Sequence, residues 1–440
     1  LLFLKAPGIL PEIYRLPDGE RGRSQRVVGK HPKPFLAVVL LFSFLCLFVN
    51  TVPGHAEFAR EPLPSDWRGD DTLTALARLP DEEIPLGKTL ILASSLVGEE
   101  LTGVPIDPAA VEKEITRLAE RVRPALRDRS DPRAVVAALN RFLFVEEGFS
   151  YDRVAGNTDN YLLDRVLRRK RGNCLGLTAL YLLLAERLSL PLHGVYVPSH
   201  CFARYDDAGV RFNIETGEKG ADRDDGRYQR DFGLRGGRPY LRSLGRKEMI
   251  GVYLKSLGAS CSRKGREDRA LRLYREAEVF FPGLPDVYFN AGVSFQKKGL
   301  LDEAIGQYRR ALELDPDLAV ARDNLGVALA KKGRYREALA EVRKAVALTP
   351  RNPVTLGNYA ATLCACGMLE EGIREYRRVL EIDPDNARAQ AGLTRAYYTR
   401  GEFQEAIVHC DRAREQGCEF DPAMLGTLEK YRASSPASLP

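Results

Sequence analysis

The chain has 440 residues, enough for two or three domains with their own cores. Hydrophobic residues make up 44% and charged residues 29%, which excludes wholesale disorder and collagen-like or mucin-like sequence. The formal net charge is +6, and residues 1–34 supply most of it, with seven Lys or Arg against three Asp or Glu. A nucleic-acid-binding protein carries its basic excess on a folded face. Here the excess lies beside an apolar run, so a membrane-targeting reading comes first and no nucleic-acid partner is expected.

Phe35 to Val49 is fifteen residues without a charge. Lys30, His31 and Lys33 precede it, and Pro53-Gly54-His55-Ala56 follows. A basic flank, an apolar stretch and small residues beyond it predict a signal peptide over 35–56. Extended to Val52 the run reaches 18 residues, about the minimum for a bilayer span, so an uncleaved anchor through 35–52 is the alternative. Either reading predicts a periplasmic or extracytoplasmic protein, with the anchored form held at the inner membrane. Residues 1–34 are read as a basic N-terminal extension or as the product of a start assigned too far upstream. Residues 57–80, with Pro62 and Pro64, read as a linker.

The next region, 81–250, alternates helix and strand signals. Asp107-Pro108 and Asp131-Pro132 each place a capping carboxylate before a proline at the first helical position. Val111, Ile115, Leu118 and Val122 mark the buried face of the first helix, and the second runs through Leu139 to Phe144 and stops at Gly148. A third spans roughly 161–169. Arg171-Gly172-Asn173-Cys174 then leads into the helical run Thr178 to Leu188, so Cys174 lies at or just before a helix N-terminus. The unpaired N–H groups and the helix dipole favour an anion there, which suits a nucleophilic thiolate and its oxyanion product.

Past Pro191 the pattern turns to strand. Gly194 to Val197, His200 to Tyr205 and Val210 to Glu215 are short strands, the last two joined by the turn residues Asp206 to Gly209. His200 opens one arm; Asn213 and Glu215 share a face of the other. A helix-borne Cys followed by a hairpin carrying His and an amide or carboxylate is the order of a Cys–His–polar relay. Cys201 points to the opposite face and reads as core; His193 reads as a surface or strand-start residue. The sign-alternating stretch 218–238 reads as a solvated loop, with a lid over the site as the lesser alternative. No metal-ligand spacing, phosphate loop or dinucleotide fingerprint occurs, so no metal or organic cofactor is expected.

These residues, with Leu139 to Phe144, Glu147-Gly148-Phe149, Asn160-Tyr161-Leu162, Pro198-Ser199-His200 and Asn213 to Thr216, resemble the transglutaminase-like superfamily. Its core is papain-like, and the match is nearest its SirB-like bacterial branch. The resemblance implies Cys174 as nucleophile and His200 as general base. The third position of that superfamily usually holds Asp. Asn213 aligns there, with Glu215 two further on, so either is the candidate orienting residue. Relatives in this branch that lack the Cys make a non-catalytic domain the alternative.

The C-terminal part repeats every 34 residues: Gly265, Gly299, Gly333, Gly367 and Gly401, and likewise Pro282, Pro316, Pro350 and Pro384. Ala270, Ala304, Ala338 and Ala406 repeat too, as do Gly258, Gly292 and Gly326. Small residues let antiparallel helices approach closely, the Gly turns between them, and the Pro ends the second helix. This pattern resembles the tetratricopeptide repeat. It predicts five repeats over 251–420 and a capping helix and tail over 421–440. Asn290, Asn324 and Asn358 recur on the first helices, where the family commonly holds an extended peptide; bonding between neighbouring repeats is the equal alternative.

The expected architecture is therefore an α+β transglutaminase-like domain joined to an all-α solenoid. The leading reading is an exported thiol acyl-transfer enzyme (protease, amidase or cross-linking) acting on a polypeptide or amide substrate, with a protein or peptide ligand in the repeat groove. Its competitors are a non-catalytic interaction scaffold and, behind it, a thiol redox or metal protein.

Overall fold

The computed structural model describes residues 70–154, 156–234 and 240–434. The apolar segment 35–56 and the extension before it lie outside them. Among the described residues no helix is long and apolar enough to cross a membrane.

Helices α1 (Asp70–Leu76), α2 (Leu86–Thr102), α3 (Pro108–Val122) and α4 (Pro132–Arg141) come first. Helix α1 lies within the stretch expected to be linker: Leu73 and Leu76 are buried and give it a face to pack. Asp107 and Asp131 cap α3 and α4, accepting from Ala109 N at 2.9 Å and Arg133 N at 2.8 Å. Helix α4 runs on into a π-helical turn over Phe142–Glu146, and Gly148 reverses the chain at φ 74°.

Two-residue strands β1 (Ser150–Tyr151) and β2 (Arg171–Gly172) then pair in parallel, with α5 (Leu163–Arg169) crossing between them. Helix α6 (Cys174–Leu188) follows, and 12 of its 15 residues are buried. A helix apolar all round belongs in a core, and α6 is the axis of this domain. Strands β3 (Leu192–Val197), β4 (His200–Asp207) and β5 (Val210–Ile214) form an antiparallel meander against it.

The sheet is covered on both faces. Gly194, Cys201, Ala203 and Ile214 face α6; at Gly194 a Cβ would lie 2.5 Å from Met249 Sδ, so a larger residue there would have to displace the Met249 side chain. Val195, Val197, His200, Phe202 and Arg204 face the other way, toward helix α7 (Asp225–Phe232), whose Tyr228 stacks on Phe202 at 4.1 Å between ring centroids. Arg204 is fully buried there, yet satisfied: it donates to Asn213 Oδ1, to Asp225 and to Leu241 O.

The solenoid is built from ten helices in five antiparallel pairs. They are α8 (Arg246–Arg263) with α9 (Glu267–Phe280), α10 (Pro285–Lys297) with α11 (Leu301–Leu314), α12 (Ala319–Lys331) with α13 (Tyr335–Leu348), α14 (Pro353–Ala365) with α15 (Leu369–Ile382), and α16 (Ala387–Arg400) with α17 (Phe403–Glu415). Helix α18 (Pro422–Ser434) closes the array, burying Leu428 against the last pair. The repeated glycines at 265, 299, 333, 367 and 401 all adopt φ between 72° and 82° in the turns, a conformation that favours Gly. Gly292 is small for a different reason: a Cβ would meet the Tyr308 ring at 2.6 Å.

Helix α8 belongs to both parts. Its N-terminus is capped by Asp81, which accepts from Arg246 N at 3.0 Å and Lys247 N at 2.8 Å. Tyr253 donates to Tyr161 O at 2.6 Å, and Lys255 Nζ to Tyr196 Oη at 3.0 Å. Tyr196 and Tyr240 in turn donate to Asp286 on α10 at 2.9 and 3.2 Å. The boundary expected at 250 thus falls inside a continuous helix whose other face is the first repeat.

Candidate functional site

Cys174 is the first residue of α6. Asn173 caps the helix, its Oδ1 accepting from Gly176 N at 2.9 Å, and the first intrahelical bond runs from Leu177 N to Asn173 O at 2.9 Å. The N–H groups of Cys174 and Leu175 therefore have no intrahelical acceptor. Two contacts fix this end of the helix. Thr216 Oγ1 donates to Cys174 O at 3.4 Å and meets Thr178 Oγ1 at 2.9 Å. On the other side Gly176 lies against Asn160 O, where a Cβ would come within 2.1 Å.

His200 starts β4 beside this helix end. Its Nε2 lies 2.7 Å from Glu215 Oε2, and the ring is coupled electrostatically to the Cys174 side chain. With Nε2 on Glu215, Nδ1 is the ring nitrogen the carboxylate does not engage. Burial alone would push the imidazole down, but the hydrogen bonds and charges of Cys174 and Glu215 outweigh it and raise its pKa to about 10. Glu215 is 2% exposed. It also accepts from Tyr228 Oη at 2.8 Å and Gly217 N at 3.0 Å. Burial would raise this carboxyl; the bonds and charge of His200, with Tyr228 and Gly217, hold it below its ordinary value.

Asn213 shares the face of Glu215 but is not beside His200. Its Oδ1 accepts from Arg204 Nε at 2.6 Å, while Nδ2 donates to Arg223 O at 2.6 Å and Asp225 Oδ1 at 2.7 Å. The register explains the division. Asn213 stands directly opposite Arg204 and Ala203 opposite Ile214, which leaves Glu215, just past the strand end, to reach diagonally to His200. Cys201 is buried on the opposite face, and its carbonyl accepts from Thr178 Oγ1 at 3.3 Å. His193 lies in β3 with Nδ1 3.4 Å from Leu244 O.

The charged stretch 218–238 is not simply a solvated loop. Within it α7 lies over the site, with Tyr228 bonded to Glu215 and Phe232 stacked on the His200 ring at 5.6 Å and 12°. These two residues were not singled out from the sequence; their signal is the four-residue spacing of two aromatics in a polar run, which puts both on one helix face. Tyr151 was missed as well. Its ring lies against Gly217, and it interacts electrostatically with Cys174 and Glu215; burial foremost pushes its phenol up to about 12.

Among the described residues every cysteine is a free thiol, and no group of three His, Cys, Asp or Glu could hold a metal ion. In the solenoid, Asn290, Asn324 and Asn358 lie half-buried on α10, α12 and α14. Asn358 Nδ2 donates to Asp323 Oδ2 of the preceding repeat at 2.9 Å, a bond between repeats. His409, on α17, stacks on Tyr397 at 5.6 Å and bonds Gln390 at 2.7 Å, a packing role.

A mixed α/β domain with a helix-borne Cys, a strand-borne His and a buried carboxylate, followed by paired-helix repeats, defines the class. The chain carries a transglutaminase-like domain followed by tetratricopeptide repeats. The family model described as the transglutaminase-like superfamily matches residues 109–222, and tetratricopeptide models match 297–333, 319–352 and 367–426. Curated relatives are bacterial. A UPF0162 protein of Xylella fastidiosa (strain Temecula1 / ATCC 700964) is 26% identical over 233 residues, 50% of this chain and 79% of the relative. One from Vibrio cholerae (serotype O1, strain El Tor Inaba N16961) is 29% identical over 191 residues, 39% of this chain and 66% of the relative. Among solved structures, YrrB, a TPR protein with an unusual peptide-binding site, is 22% identical, covers 41% of this chain and 92% of its own, and has a TM-score of 0.36. A MamA crystal structure is also 22% identical, covering 41% and 98% with a TM-score of 0.34.

Proposed function

We propose that the transglutaminase-like domain is a thiol acyl-transfer catalyst. Cys174 is its nucleophile, His200 its acid–base group, and Glu215, rather than Asn213, the residue that orients and supports the imidazole. The observation that carries this reading is the His200 ring bonded to the buried carboxylate of Glu215, whose neighbour Thr216 donates to Cys174 O at 3.4 Å at the start of α6. The thiol proton passes to His200. The sulfur then forms a bond to an amide carbonyl carbon while the C=O electron pair moves onto oxygen. Collapse of this oxyanion re-forms the carbonyl and breaks the C–N bond, and the leaving amine takes the proton from His200. Water or a second amine, deprotonated by His200, resolves the thioester by the same steps in reverse. These steps use only the chain's own groups.

The repeats serve protein–protein interaction, and we propose that they present a polypeptide to the thiol domain through the first-helix face bearing Asn290, Asn324 and Asn358. With 35–56 read as an export signal or anchor, the reaction is proposed to run outside the cytoplasm, which fractionation of cells expressing the full chain tests. Alkylation by iodoacetamide tests the chemistry. Cys174 is expected to react much faster in the wild type than in His200→Ala; equal rates would leave a peptide-binding scaffold in place of an enzyme.

A further inference from the structure

We infer that the Tyr151 hydroxyl is the side-chain donor to the oxyanion formed when Cys174 attacks an acyl carbonyl. The inference rests on the thiol acyl-transfer reading and adds a residue to it. The placement begins with the backbone. Strand β1 is only two residues long, yet it is clamped on both sides of Tyr151: Ser150 N donates to Lys170 O at 2.9 Å and Asp152 N to Gly172 O at 2.8 Å. The parallel register sets Tyr151 opposite Gly172, two residues before the nucleophile. Asp152 is fixed in turn, its carboxylate accepting from Val154 N and Arg169 Nη2 at 3.0 Å each. The backbone that carries the tyrosine is therefore held in place.

The ring then lies at the site. A Cβ on Gly217 would meet Tyr151 Cδ2 at 3.2 Å, and Gly217 is the residue whose N–H binds Glu215. That same Cβ would lie 3.2 Å from Glu215 Oε1, and the residue between, Thr216, donates to Cys174 O at 3.4 Å, so the ring borders the turn that joins the carboxylate to the nucleophile's helix. The buried tyrosines around it have their hydroxyls engaged. Tyr181 donates to Asn140, Tyr196 to Asp286, Tyr228 to Glu215 and Tyr253 to Tyr161 O. Among the described residues the Tyr151 hydroxyl has no hydrogen-bond partner, and the residue is 39% exposed. A phenol with an uncommitted O–H beside a nucleophile is a donor whose acceptor arrives with the substrate. The Cys174 N–H at the helix end is the natural second donor. In the step itself the S–C bond forms, the carbonyl pair becomes an O⁻ that accepts from Tyr151 and from Cys174 N–H, and collapse returns that pair as the leaving group departs.

The experiment separates acylation from alkylation. The probes are p-nitrophenyl acetate, whose attack passes through an oxyanion, and iodoacetamide, whose displacement does not. Tyr151→Phe keeps the ring and removes only the hydroxyl. It is expected to slow the p-nitrophenolate burst about 100-fold or more, while iodoacetamide alkylation of Cys174 and the melting temperature stay at wild-type values. A burst at the wild-type rate in Tyr151→Phe overturns the assignment and leaves the thiol reading intact. A parallel loss of alkylation and acylation also overturns it, by making Tyr151 a positioning residue for the thiol. If the wild type gives no burst that depends on His200, the underlying reading falls and this inference with it.

Discussion

Glu215→Gln isolates the charge of the third residue from its shape. In the wild type Oε2 accepts from His200 and Tyr228, and Oε1 accepts from Gly217 N. A glutamine has only one acceptor oxygen. If the amide nitrogen takes the Oε1 position it faces the Gly217 N–H; if it takes the Oε2 position it faces the His200 N–H. Either orientation sets donor against donor in a buried site, at a cost of about 1–3 kcal/mol. The larger effect is on His200. Its pKa of about 10 is held up by Cys174 and Glu215 together against burial. A facing opposite charge moves an ionisation by about 1–3 pH units, so the midpoint is expected to drop to roughly 7–9 in Glu215→Gln. Each tenfold change in that equilibrium is about 1.4 kcal/mol of lost support for the imidazolium. The assay is the NMR titration of the imidazole Cε1–H between about pH 5 and 11, with His200→Gln assigning the signal among five histidines. Turnover of an acyl substrate should fall by about 10²–10⁴, the range of general acid–base catalysis. A titration that superimposes on the wild type would refute the argument that Glu215 supports the charge.

Asn213→Ala should behave differently: it strips the buried Arg204 and Asp225 of a shared partner, so the melting temperature falls, while the iodoacetamide rate per folded molecule stays at the wild-type value. A selective loss of that rate would restore Asn213 to the site. Gly176→Ala forces a Cβ to within 2.1 Å of a backbone oxygen, and the variant is expected to lose 2 kcal/mol or more, on the order of an overpacked core, in urea unfolding. The ionic contact itself gives stability a pH dependence. Because the folded pKa of His200 lies above its unfolded value of 6.5, its contribution is complete below about pH 6.5 and fades as pH rises through about 10. Glu215, depressed below its unfolded 4.5, contributes above that value and loses its contribution as pH falls. The melting-temperature gap between wild type and His200→Gln should therefore be widest between about pH 4.5 and 6.5 and close toward pH 10; a gap independent of pH would exclude the charge pair.

The repeats are legible in the sequence because each small residue answers a local demand that recurs every 34 positions. Gly265 and its equivalents must turn the chain at positive φ, and Ala304 or Gly292 must let a neighbouring helix in. The order Cys174, His200, Glu215 was legible for a similar reason: a helix start and two strands each leave a local signal. What alternation could not decide was Asn213 against Glu215. Both lie on one face, and only the pairing of Asn213 with Arg204 separates them, a long-range register that a linear pattern does not carry. Helix α7 was hidden because its charges alternate in sign and only Tyr228 and Phe232 betray its buried side. Tyr151 was hidden because a two-residue parallel ladder is too short to show a period.

The joint between the two parts follows from the same physics. An α-solenoid needs its first helix capped, because the outer face of a terminal repeat is apolar. Helix α8 has Ile250, Val252, Tyr253, Leu254 and Leu257 all buried, more apolar surface than one partner helix covers. The surplus is covered by the thiol domain, which therefore does for α8 what α18 does at the far end. The polar groups at this joint are accounted for too. Lys255, its ammonium destabilised by burial and supported by the facing Asp286, donates to Tyr196, and Tyr196 and Tyr240 both close onto Asp286. Tyr196 stands opposite Cys201 in the sheet, one residue from His200. The first repeats are thus bonded to the strand pair that carries the imidazole, and a solenoid docked in this way supports that strand pair as well as offering its own surface to a partner.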